Sequence, residues 1–213
     1  MGASAAHDPT SIPCSTECAA STNTSGIGKL FAAGRPSGRC ASTSLFCHDG
    51  TERPIGRPTD DEDQKHYYSG KKKDHTIKNV LIVDETGAIC FLSDTYEGKT
   101  HDKRIADEAH YQLPDGSILA QDSGFQGFTM PGVSILQPKK KPPRGTLTDE
   151  EKEENQWIAR IRSLIEHSIG GVKIYRIIHD TIRHWCPWIR DTVMHICCGL
   201  YNLRLRQQEL RES

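Results

Sequence analysis

Neither sign of charge predominates in this sequence of 213 residues. Lysine and arginine number 27, aspartate and glutamate 28, for a formal net charge of −1. That balance excludes a protein held to nucleic acid by bulk positive charge, but it leaves room for local basic patches. Long apolar runs are missing too: nothing approaches the roughly 18 consecutive apolar residues of a membrane helix. Residues 1–20 lack a cationic start followed by an apolar block, so a secretory signal is not expected. The eight cysteines follow no disulfide pattern. Cys14, Cys18 and Cys40 lie in a polar front segment, Cys47 and Cys90 in apolar strand-like runs, and Cys197 and Cys198 in a helical one. Reduced thiols in the cytosol are therefore expected. His179, His184, Cys186, His195 and Cys197 match no paired Cys-x-x-Cys frame, and packing or solvated faces explain them better than zinc.

What is present divides near residue 44. In residues 1–44, 26 of 44 positions are Ala, Ser, Thr or Gly, with no sustained period of 2 or 3.6. Such composition cannot bury enough apolar surface to offset chain entropy, so disorder is expected there. The rest is expected to form one domain over residues 45–206, with a short tail at 207–213. Apolar residues make up 35% of the chain, enough for a core. Residues 44–48 read as a strand ending at Asp49-Gly50, and a polar, turn-rich excursion follows over 51–70. Residues 76–83 and 88–92 read as a hairpin across Asp84-Glu85-Thr86-Gly87. A short helix is predicted at 102–111, then strands at 117–120 and 133–137. Thr148 and Glu151 form a capping box for a long helix. Its apolar stripe is Trp157, Ile158, Ile161, Leu164, Ile165 and Ile169, and Gly170-Gly171 is expected to end it. A last helix after Pro187 carries Ile189, Val193, Ile196, Leu200 and Leu203 at near-heptad spacing. This order predicts an α/β fold, a mixed sheet flanked by helices.

Asp49 and Asp122 share a local setting. Each is read at the end of a short apolar strand, followed at once by a small-residue turn, a position where α/β folds commonly bind ligands. Glu166 lies on the long helix about 60° outside the edge of its apolar stripe, facing a possible cleft. Three acids from two strand ends and one helix suit a two-cation site, because Mg²⁺ takes hard oxygen ligands and few of them. Two such ions activate a water and stabilise the leaving oxygen of a phosphodiester. Taken singly, each feature also has a plainer explanation: an Asp before Gly is often a turn residue, and Glu166 is one turn from Arg162, a natural ion-pair partner.

The surrounding words decide between these readings. They are Asp49-Gly50-Thr51-Glu52-Arg53-Pro54-Ile55, Tyr67-Tyr68-Ser69-Gly70-Lys71-Lys72-Lys73, His101-Asp102-Lys103, Gln121-Asp122-Ser123-Gly124-Phe125-Gln126-Gly127, Gln137-Pro138-Lys139-Lys140-Lys141-Pro142 and Ile165-Glu166-His167-Ser168-Ile169-Gly170-Gly171-Val172-Lys173. From about Phe46 to Arg206 the chain resembles the DDE-superfamily endonuclease domain of bacterial insertion-sequence transposases, of the Harbinger-related group. The resemblance implies an RNase H-like fold and cutting and joining of DNA with Mg²⁺ or Mn²⁺. It places the family's acids on Asp49, Asp122 and Glu166, as catalytic and metal-binding residues. It also implies DNA as partner, a possible homo-oligomer and a nucleoid-associated location. Related transposases usually carry a helix-turn-helix before the first acid, and residues 1–44 show no such pattern. The alternative is therefore a truncated, non-catalytic DNA-binding remnant.

Other residues fall into place around the acids. Lys71, Lys72, Lys73, Lys139, Lys140, Lys141 and Arg144 form two basic clusters on loops, expected to contact phosphates. Tyr67 and Tyr68 are open to two readings, stacking on unpaired bases or burial against the sheet. Asp102 is the rival for the second acid, ranked behind Asp122; it equally suits a cap on the helix that follows.

Overall fold

The computed structural model describes residues 29–30, 44–143 and 145–212. The disorder expected at the front, the three front cysteines and Arg144 fall outside these residues, except that Lys29–Leu30 is a short strand, β1. In chain order the remaining elements are β2 (Leu45–Pro54), α1 (Asp61–Tyr67), β3 (Tyr68–Ser69), β4 (Asp74–Asp84), β5 (Ile89–Leu92), β6 (Tyr96–Glu97), α2 (Asp102–Glu108), β7 (Ile118–Gln121), β8 (Ser134–Leu136), α3 (Asp149–Val172), α4 (Arg176–His179) and α5 (Pro187–Glu212). The sheet runs β1-β5-β4-β2-β7-β8. Its β5-β4-β2 half is antiparallel, and β7 and β8 join in parallel on the other side of β2. This is the expected mixed sheet with helices against it.

Alternation along the strands sorts the core into two layers. Cys47, Leu81, Val83 and Ala120 face α3 and α5, where they meet Ile165, Val172, Met194 and Cys198. Val80, Ile82 and Leu119 face the opposite way, onto Ile105, Ala106, Tyr111, Phe125 and Phe128. The predicted hairpin forms between β4 and β5. The Asp84 carboxylate accepts hydrogen bonds from the amides of Thr86 and Ala88 at 2.9 and 3.0 Å, and Gly87 takes the positive φ of 84° that closes the turn.

Four sequence expectations are corrected. First, β2 does not stop at Gly50 but continues to Pro54, so Asp49 sits in mid-strand. The continuation reads as polar because it buries Thr51 and a fully covered Arg53. Arg53 donates to Asn79 Oδ1 at 2.7 Å, Thr95 Oγ1 at 2.9 Å and the Arg190 carbonyl at 3.1 Å, which is how a buried guanidinium is tolerated. Second, α3 begins with the predicted capping box at Thr148 and Glu151 but runs through Gly170-Gly171 to Val172. Gly171 is inside the helix because α5 crosses it closely: a Cβ there would lie 2.4 Å from Tyr201 Cε2. Third, Trp157 is half exposed rather than part of the core stripe. Fourth, of the near-heptad stripe of α5 Val193 packs against the core while most of the rest does not. Ile196, Leu200 and Leu203 are exposed, while Arg190, Met194, Cys197 and Cys198 are buried.

Candidate active site

Strand register brings the two aspartates together. β2 and β7 are parallel neighbours whose last paired couple is His48 with Gln121. Asp49 and Asp122 are the next residue on each strand. Each shares the parity of a side chain in the α3 layer, Cys47 and Ala120 respectively, so both are directed toward α3. Asp122 lies at the carboxyl end of β7 and precedes a 3₁₀ turn, Ser123–Phe125.

The residue of α3 that meets them is Arg162. Its Nη1 lies 3.3 Å from Asp122 Oδ1. The pairing of Arg162 with Glu166 considered from sequence is thus replaced by one with Asp122. Glu166 is exposed, one turn further along α3. At 100° per residue it is rotated about 40° from Arg162 and lies about 6 Å along the axis. Lys173 continues the same face, about 20° from Arg162. It is largely buried and its pKa is lowered, by burial first and then by Lys72.

Burial pushes the Asp49 carboxyl up to about 6. The negative charges of Asp122 and Asp102 add to this, while the Gly50 amide, 2.7 Å away, and Arg162 act against it. Burial is the largest of these causes, and Arg162 outweighs either neighbouring carboxylate. The donors of the site are hard oxygens, which suits Mg²⁺ or Mn²⁺. Among the described residues no three His, Cys, Asp or Glu side chains are gathered closely enough to hold an ion, and Arg162, rather than a third acid, is what α3 presents to Asp122.

Asp102 approaches from the opposite face of β2. Gly50 and Gly124 make room for its carboxylate: a Cβ on either would lie 2.7 or 2.9 Å from an Asp102 oxygen. Asp102 is the first residue of α2 and not its cap, which is His101. Lys78 Nζ lies 3.2 Å from Asp102 and 3.7 Å from Glu52, and it donates to the Thr100 carbonyl at 3.0 Å. Sequence reasoning missed Glu52, Lys78 and Lys173, and it placed Arg162 only as a neighbour of Glu166. A signal was available for Lys78: Lys78-Asn79 interrupts an otherwise apolar β-run.

The basic clusters lie on both sides. Lys71 lines a cavity of about 510 Å³ with Asp102 and Asp122, and Lys72 lines a second cavity with Glu52 and Lys173. Lys73 and Lys141 are exposed. Lys139 is tied to α3, with Nζ 2.7 Å from Glu154 and its backbone bonded to Asn155. Lys140 is hydrogen-bonded to Gln126.

A family model described as DDE superfamily endonuclease matches residues 48–202. Two relatives are named as transposases for insertion sequence elements. That of IS702 from Microchaete diplosiphon is 30% identical over 164 residues, covering 76% of this chain and 58% of the relative. That of IS112 from Streptomyces albus G is 25% identical over 185 residues, covering 84% and 66%. The chain thus spans less than two thirds of either relative. No solved structure matches it significantly. With a matched region that runs from β2 into α5 and holds all three acids, the chain belongs to the DDE superfamily endonucleases.

Proposed function

We propose that this chain is a metal-dependent DNA transposase that cuts and joins phosphodiester bonds at the ends of a mobile element, on an RNase H-like fold. The observation that carries this reading is the emergence of Asp49 and Asp122 side by side from parallel neighbours, directed toward the helix that bears Glu166. The strand order β5-β4-β2-β7-β8, antiparallel up to β2 and parallel beyond it, with the short β1 at the β5 edge, supports the fold assignment. The relatives' names support DNA as substrate.

In this reading Asp49, Asp122 and Glu166 hold a divalent cation, Mg²⁺ or Mn²⁺. Once bound, the cation supplies activation of a water and charge stabilisation at the leaving oxygen. The protein's own groups do the rest. Asp49 must be ionised to serve as a ligand, so proton and cation compete for it and cation affinity is expected to weaken as pH falls through about 6. Arg162 holds Asp122 in place through their 3.3 Å contact, and a DNA phosphate is a natural second partner for its guanidinium. Lys71, Lys72, Lys73, Lys139, Lys140, Lys141 and Arg144 contact the phosphate backbone and position the strand without reading sequence.

Calorimetric titration with Mg²⁺ and Mn²⁺ tests the assignment. The double variant Asp49→Asn/Asp122→Asn is expected to lose the binding that the wild type shows. Undiminished binding in the variant rules the site out.

A further inference from the structure

Of the three acids only Asp122 lines the 510 Å³ cavity, where it is joined by Asp102 and Glu52. The same cavity is also lined by Tyr68, Lys71 and Lys99. Tyr68 and Lys99 also line a larger, neighbouring cavity of about 740 Å³, together with Arg57, Lys65, His75 and Asp61. Sharing Tyr68 and Lys99 in their linings, the two cavities adjoin as a groove. Resting on the reading of the chain as a DNA endonuclease, we propose that this groove carries an unpaired DNA strand away from the acids, with one base stacked on Tyr68 and the following phosphates met by Lys99, Arg57 and Lys65.

The two adjacent tyrosines have different environments. Tyr67 is partly covered, its ring meeting Trp185 edge-on at 5.9 Å and lying under the Arg190 guanidinium at 5.8 Å. Tyr68 has the opposite environment. Pairing of β3 with β4 sets it across from His75, whose ring meets it at 5.7 Å and 70°. The tyrosine is braced from one direction and is still 46% exposed. A braced, open aromatic ring is what a base stacks on, and any base supplies the matching face. Bases inside a duplex are already stacked on each other, so the ring suits an unpaired strand.

The charges along the groove agree. Lys99 is exposed and enters no ion pair among the described residues. Arg57 is held by the neutral Gln64 at 2.7 and 3.0 Å, which positions its guanidinium without neutralising it. Lys65 is paired with Glu62 at 2.7 Å, and Asp61 is the one carboxylate lining this cavity. Arg57 and Lys99, which enter no ion pair among the described residues, outnumber it.

The experiment uses a short single-stranded oligonucleotide carrying 2-aminopurine and a blunt duplex of the same sequence, both bound in EDTA so that no cleavage occurs. Stacking is expected to quench the 2-aminopurine on binding. Tyr68→Ala is expected to abolish the quench and weaken single-strand binding by at least roughly fivefold, with duplex affinity unchanged. Tyr68→Phe keeps the ring and is expected to behave as wild type, which separates stacking from any folding defect. Equal quench and equal affinity in wild type and Tyr68→Ala overturn the proposal. Plasmid nicking with Mg²⁺ is measured in parallel. Nicking without a quench removes the stacking site and leaves the enzyme reading intact. A Tyr68-dependent quench without nicking keeps the stacking site and removes the enzyme reading.

Discussion

Replacing Asp49 by Asn is expected to stabilise the protein at alkaline pH and to leave it unchanged at acid pH. The folded carboxyl titrates at about 6 against an ordinary 3.8. Between those values the folded state holds the proton more tightly than the unfolded chain, so this group's contribution is favourable below about 4 and is lost as pH rises through about 6. The gap corresponds to roughly 3 kcal/mol, or about 2 kcal/mol once the partial exposure of the carboxylate is allowed for. Asn keeps the shape and still accepts the Gly50 amide hydrogen bond, and Asp122 still pairs with Arg162, so the main change is the loss of the charge. In a chain of this size, 2 kcal/mol is worth about 4–8 °C in Tm. The wild-type profile alone is not diagnostic, because His48 acts in the same window with the opposite slope. Burial lowers its pKa to about 3, so its contribution is lost as pH falls below its ordinary 6.5. The difference between variant and wild type cancels His48. The assay is thermal unfolding in EDTA at pH 4 and pH 8. A Tm gain at pH 8 that vanishes at pH 4 is expected. A loss of stability at pH 8, or an equal shift at both, refutes the reasoning.

Arg53→Met should cost about 3–5 kcal/mol in urea unfolding, because it strips a buried hydrogen-bonding partner from Asn79, Thr95 and the Arg190 carbonyl; a change under 1 kcal/mol would show that the network relaxes freely. Thr148→Ala removes the hydroxyl that accepts the Glu151 amide, while the residue-148 backbone N–H still donates to the Glu151 carboxylate; it should lower stability by about 1 kcal/mol, read as a Tm drop of about 2–4 °C. Gly171→Ala places a methyl against Tyr201 and should cost about 1–3 kcal/mol, largely restored when Tyr201 is also shortened to Leu. Changing Lys139, Lys140 and Lys141 to Gln should flatten the salt dependence of DNA binding by about two phosphate contacts rather than three, because Lys139 is already neutralised by Glu154.

The strands and the long helix were legible because their patterns are local. The hairpin at Asp84–Gly87 and the capping box at Thr148 each depend on a few adjacent residues whose chemistry has one common solution. The limits of β2 were not legible. Arg53 reads as a surface residue, and only the distant Asn79, Thr95 and Arg190 make its burial possible. In α5 the pattern misled: the helix is apolar on two sides, and Ile196, Leu200 and Leu203 score higher than the Met194, Cys197 and Cys198 that meet the core. The three acids were visible as residues in motifs. Their surroundings were not. Arg162 reaches Asp122 across 40 positions, and Asp102 enters between two glycines from a different layer, neither of which any sequence period encodes.

The central claim is that Asp49, Asp122 and Glu166 act as one catalytic set. Single-turnover nicking of supercoiled DNA with Mg²⁺ or Mn²⁺ tests it most directly, comparing wild type with Asp49→Asn, Asp122→Asn and Glu166→Gln, each shown to be folded by its unfolding transition. Metal-dependent nicking is expected in the wild type and its loss in all three variants. Nicking that persists in Glu166→Gln, or that needs no divalent ion, contradicts the claim.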